Sequence, residues 1–79
     1  MAAAHQPHKE QGTQLSGRET EIMRLIRDGS STKMAAVEMG IGLTTAKEYR
    51  DRAYKKLGAH NTAQALGAFA MTQIGDTTS

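Results

Sequence analysis

A chain of 79 residues with no cysteine and a net charge of +2 holds one small domain and excludes disulfides and thiolate metal sites. No apolar run approaches the roughly 18 residues of a membrane span, and no signal-peptide core is present, so a cytoplasmic protein is expected. A domain this small buries only about 60% of the surface its unfolded chain exposes, which makes oligomerisation or ligand binding an expected source of added stability.

Residues 1–14, MAAAHQPHKEQGTQ, lack apolar periodicity and hold the only proline, so they read as a flexible arm. His5 and His8 have a spacing that binds metal on a helix. Pro7 between them opposes a helix, and no third ligand completes a site, so neither metal nor cofactor is expected.

Ser16 and Glu19 form the capping-box pattern S-x-x-E, which opens a helix through about Arg27. Ile22, Leu25 and Ile26 recur at helical spacing with Met23 beside them, giving one core face. Arg18, Glu19, Glu21 and Arg24 lie on its polar side. Asp28-Gly29 ends the helix.

The next stretch, Thr32 to Leu57, organises the rest. Ser31 is the expected N-cap of a short helix ending at Met39. Gly40 follows, free to take the left-handed conformation that stops a helix abruptly. Ala36 is small enough for two helices to cross in close contact, and Ala35, Met39, Ile41, Ala46 and Tyr49 offer apolar surface to seal them. A second, basic helix runs from Leu43 to about Leu57, stopped by Gly58. Short helix, glycine turn and longer helix together predict a helix–turn–helix, whose second helix other DNA-binding proteins lay in the major groove.

Charge supports that reading. Between Leu43 and Lys56, Lys47, Arg50, Arg52, Lys55 and Lys56 face only Glu48 and Asp51, a local balance of +3 that leaves −1 for the remaining residues. A polyanion is the expected partner. Thr44, Lys47, Glu48, Asp51, Arg52 and Lys55 share the outward face of the helix. Arg50 falls on the apolar side between Ala46, Ala53 and Leu57, where an unpaired guanidinium is too costly to bury. It must reach solvent or find a carboxylate, with Glu19 and Glu21 as candidates.

Asn61 and Gln64 repeat the capping pattern and start a last helix through about Thr72. Ala63, Leu66 and Ala70, with Phe69 and Ile74 as further candidates, form its apolar stripe. Gly75 to Ser79 read as a frayed tail. The expected fold is all-α: a four-helix, bundle-like domain over residues 15–74 that contains the helix–turn–helix.

From Leu15 to about Ala70 the chain resembles the LuxR-type, or GerE-like, helix–turn–helix family. LSGRETEIMRLIRDG, SSTKMAAVEMGI and TTAKEYRDRAYKKLGAHNTAQAL carry the resemblance. Leu15, Ser16, Gly17, Arg18 and Glu19 stand where the family has Leu-Thr-Pro-Arg-Glu. Gly29 to Ala36 fall on its Gly-Leu-Ser-Asn-Lys-Glu-Ile-Ala segment, Thr45, Ala46 and Lys47 on its Thr-Val-Lys, and Lys56, Leu57 and Gly58 match its Lys-Leu-Gly ending. The resemblance implies four helices, the third in the major groove and the fourth often forming a two-fold dimer. It also implies a regulator that usually follows a receiver or signal-binding domain. With only an arm preceding it, this chain looks like a stand-alone member or an excised domain.

Under this resemblance Lys47, Glu48 and Asp51 are the expected base contacts, with Lys33, Thr44, Thr45, Arg52, Lys55 and Lys56 as phosphate contacts. Two of the three base readers are acidic here, which repels phosphates but can accept a hydrogen bond from cytosine N4. The last helix carries small or apolar residues nearly all round, so Ala63, Leu66, Gly67 and Ala70 are the expected homodimer contacts. The leading expectation is a sequence-specific transcription regulator on paired half-sites of double-stranded DNA. The alternative is an interaction module that binds another regulator or RNA polymerase, favoured by Glu48 and Asp51. A sigma-factor region is a related DNA-binding possibility, and an enzyme is not expected, since no nucleophile–base–orienter set is visible.

Overall fold

The computed structural model describes the backbone of residues 14–78 and the side chains of residues 14–72. The expected arm, with His5 and His8, and the side chain of Ile74 lie outside the described residues. Four helices follow in order: α1 (Gly17–Arg27), α2 (Thr32–Met39), α3 (Leu43–Leu57) and α4 (Thr62–Thr78). No strand occurs among the described residues, so the fold is all-α as expected.

Local chemistry sets the helix ends. The Ser16 hydroxyl accepts from the Glu19 N–H at 3.1 Å, and the Ser16 N–H donates to Glu19 Oε1 at 2.9 Å, closing the box. Ser31 Oγ accepts the Met34 N–H at 3.1 Å and starts α2. At the end of α2, Gly40 sits at φ 71°. Its N–H reaches the Val37 carbonyl while Ile41 N–H reaches that of Ala36, at 3.1 and 3.0 Å. This pair of bonds satisfies the last carbonyls and turns Ile41 back onto the core. Gly58, at φ 69°, ends α3 in the same way. At Asn61 the expected reciprocal box forms only in part. Asn61 Oδ1 accepts the Gln64 N–H at 2.8 Å, but Gln64 Oε1 takes the His60 N–H instead, also at 2.8 Å.

Helix α3 packs against the other three helices, whereas α2 and α4 make no substantial contact with each other. Two cores result. The first joins Ile22, Ala35, Ala36, Met39 and Ala46, with Leu25, Ile26, Ile41 and Tyr49 around it. The second joins Met23, Ala53, Ala65 and Phe69, flanked by Leu15, Tyr54, Leu57, Ala59 and Leu66. Ile22 and Met23, neighbours on α1, are both fully buried and serve different cores.

Three expectations are corrected. The inward face of α4 is Ala65 and Phe69, not Ala63, Leu66 and Ala70; Ala63 and Ala70 are exposed and Leu66 lies half-buried at the core's edge. Phe69 is the largest apolar side chain on the helix, and its burial sets the helix's rotation. Glu19 is not on a polar surface, being only 3% exposed, because its box geometry folds the carboxylate back under Lys56. Finally, α4 does not end near Thr72 but runs on past Gly75 to Thr78, with no proline or positive-φ residue to stop it.

Candidate nucleic-acid interface

Helix α3 is held from within by Ala46 and Ala53, both fully buried, which let α1, α2 and α4 approach its backbone closely. Thr44, Lys47, Glu48, Asp51, Arg52 and Lys55 are all exposed. From Thr44 to Lys55 the face extends about 16 Å along the axis at 1.5 Å per residue. Lys47, Glu48 and Asp51 occupy its middle, between hydroxyls at one end and cations at the other. Lys33 on α2 is exposed and Thr45 half-buried. Among the described residues, Lys33, Lys47, Arg52 and Lys55 form no ion pair, and all four are exposed to solvent.

The start of α3 carries a further electrostatic feature. Gly42 is its N-cap and supplies no side-chain hydrogen bond. The backbone N–H groups of Leu43, Thr44 and Thr45 therefore have no side-chain cap at the positive end of the helix dipole, an arrangement suited to a phosphate oxygen.

Lys56, also expected at a phosphate, is paired within the fold. Its ammonium lies 2.9 Å from Glu19 Oε1, with the lysine side chain 28% exposed and the carboxylate 4%. The pair ties α3 to the start of α1, away from the outward face. Burial by itself pushes the Glu19 carboxyl up, but the Ser16 backbone N–H and the Lys56 ammonium outweigh it, holding the pKa below its ordinary value.

Arg50 departs from expectation, pairing with neither Glu19 nor Glu21. Glu19 is taken by Lys56, and Glu21 Oε1 lies 3.2 Å from Arg18. The Arg50 guanidinium instead bonds Thr32 Oγ1 at the start of α2 and Asp51 Oδ1 on its own helix. It also lies 5.8 Å from the centre of the Tyr54 ring. The sequence signal was available: an arginine at the edge of an apolar face, directly before an outward carboxylate.

This arrangement defines a class: a small helical domain whose helix–turn–helix presents a solvent-facing second helix. The chain belongs to the luxR family of bacterial regulatory proteins, whose pattern it matches over residues 13–68. It is 41% identical over 58 residues to the HTH-type transcriptional activator RamA of Corynebacterium glutamicum, a match covering 73% of this chain and 21% of RamA. The chain thus spans about a fifth of that relative's length. No solved structure matches it. Among the described residues, no helix is long and apolar enough to cross a membrane.

Proposed function

We propose that this chain is the DNA-reading part of a transcription regulator, binding double-stranded DNA with α3 in the major groove. The observation that carries this reading is the unbroken outward face of α3, where every side chain from Thr44 to Lys55 suited to groove contact is exposed. Lys47, Glu48 and Asp51 meet base edges. Lys33, Thr44, Thr45, Arg52 and Lys55, together with the uncapped N–H groups of α3, hold phosphates. Lys56 is left out of that set because Glu19 engages it.

Dimerisation belongs to the same proposal. Ala63, Gly67 and Ala70 are exposed at i, i+4 and i+7 along α4. Leu66 borders them, and Met71 is 67% exposed. Small residues at that spacing permit close approach of a second α4 about a two-fold axis, which would place two α3 helices roughly 34 Å apart on an inverted repeat.

The experiment is a gel shift with genomic fragments across a salt series, joined to analytical ultracentrifugation with half-site and full-site duplexes. Binding that weakens linearly in log–log salt, with two chains per full site, is the expected result. No binding at low salt would overturn the DNA reading. One chain per full inverted repeat without cooperativity would overturn the dimer. The alternative partner, another regulator or RNA polymerase, rests on Met34 and Val37, which lie at i and i+3 on α2, 56% and 76% exposed. A chain that ignores DNA but retains such a partner through these two residues would establish it.

A further inference from the structure

We propose that Arg50 is a positioning residue that determines which base Asp51 reads; the inference rests on the DNA reading above. Arg50 Nε and Nη2 both donate to a single oxygen, Asp51 Oδ1, at 3.2 and 3.0 Å. Nη1 donates to Thr32 Oγ1 at 3.1 Å, and the guanidinium lies over Tyr54. Tyr54 is itself anchored by its hydroxyl on Thr62 Oγ1 at 2.8 Å.

An exposed ion pair between two free side chains is worth little, because both must lose rotamer freedom to make it. Here the guanidinium is already held by α2 and by an aromatic face, so only the short Asp51 side chain is ordered by the pair. Two consequences follow. First, a cation 3.0 Å away offsets the negative charge that would otherwise repel the phosphates flanking the groove. Second, the carboxylate is no longer a symmetric acceptor. Oδ1 is occupied by two donors, and Oδ2 has no donor among the described residues, on a side chain that is 66% exposed.

A lone, oriented acceptor on the reading face matches an exocyclic amine in the major groove. Cytosine N4 is the better fit. Adenine N6 stands beside the N7 lone pair, which a carboxylate oxygen repels. Asp51 therefore selects cytosine at one operator position, and Arg50 makes that selection by fixing which oxygen faces the groove.

The test is selection from a randomised duplex library by the full chain and its Asp51→Ala, Arg50→Met and Asp51→Asn variants. The original chain is expected to prefer cytosine at one position by about five- to tenfold, near the low end for a specific contact. Asp51→Ala flattens that position alone. Arg50→Met flattens the same position, and adding Asp51→Ala to it changes nothing more.

Asp51→Asn changes an exposed side chain and supplies a readout that folding does not influence. With Arg50 present, the guanidinium keeps the amide oxygen and turns the –NH2 outward, so preference moves to guanine or thymine, which offer acceptors. A move to adenine, the bidentate partner of an unconstrained asparagine, would overturn the proposal. So would an Arg50→Met chain that keeps the cytosine preference. An original chain that binds no duplex overturns the DNA reading and this inference together, whereas binding with an Arg50-independent choice overturns only this inference.

Discussion

The two cores lie side by side along α1 and α3 and are built on opposite plans. The core beneath the helix–turn–helix has three alanines at its centre, Ala35, Ala36 and Ala46, with Ile22 and Met39 as its larger members. It owes its geometry to how closely the backbones approach. The core beneath α4 has two alanines, Met23 and the single phenylalanine of the chain. It owes its stability to one large side chain. Small residues thus fix the angle at which α3 is presented, while a bulky one fastens α4 and what α4 carries. Because Ile22 and Met23 are adjacent on α1, neither core can come apart without disturbing the other.

The hardest way to break that comparison is Phe69→Ala. Removing a fully buried phenylalanine costs about 3–5 kcal/mol, comparable with the whole stability of many small domains. The shared α1 makes the loss cooperative. Circular dichroism is expected to show α1–α3 melting together with α4, and a surviving three-helix remnant would show that the cores are independent.

A smaller effect separates the ion pair that ties α3 to the start of α1 from the packing within the cores. Glu19 has a folded pKa below its unfolded one, so its contribution is present above the unfolded carboxylate pKa and is lost as pH falls through the folded value. Glu19→Gln removes the charge but keeps the shape. It is expected to destabilise the protein near neutral pH by about 1–3 kcal/mol. The difference from the original chain should fade in acid, as both carry a neutral side chain there. A difference that persists unchanged at the acid end would mean that Lys56 contributes nothing through its charge.

The turn of the first core gives a finer test. A Cβ added at Gly40 would meet nothing within 4 Å, so the cost expected for Gly40→Val is first of all conformational, at least about 1–2 kcal/mol for a left-handed residue. Gly40→Asn is expected to cost less, because asparagine tolerates that conformation. Equal melting temperatures for the two variants would mean that φ at Gly40 is not what holds the turn.

The smallest effect on stability is the most telling for function. Lys55 and Lys56 are neighbours, one exposed on the outward face and the other bound to Glu19. Lys55→Ala is expected to leave the folding stability within about 0.5 kcal/mol of the original and to flatten the log–log salt slope of DNA binding by about 0.9. Lys56→Ala is expected to do the reverse, lowering the melting temperature while preserving the slope. The opposite pattern would exchange their roles.

By itself, the sequence determined what can be settled within a turn or two of chain. The Ser16–Glu19 box, the Ser31 cap, the glycine stops at Gly40 and Gly58 and the bounds of α3 all rest on bonds between residues at most five apart. The composition of the first core was also legible, because small residues around a glycine turn have few other uses. What only the tertiary structure decided is which partners meet across the fold. Lys56 found Glu19, 37 residues away, and Arg50 found Thr32, 18 residues away. The rotation of α4 was hidden for a related reason. With apolar or small residues nearly all round that helix, periodicity names no single face, and the space left between α1 and α3 chose Phe69 to fill it.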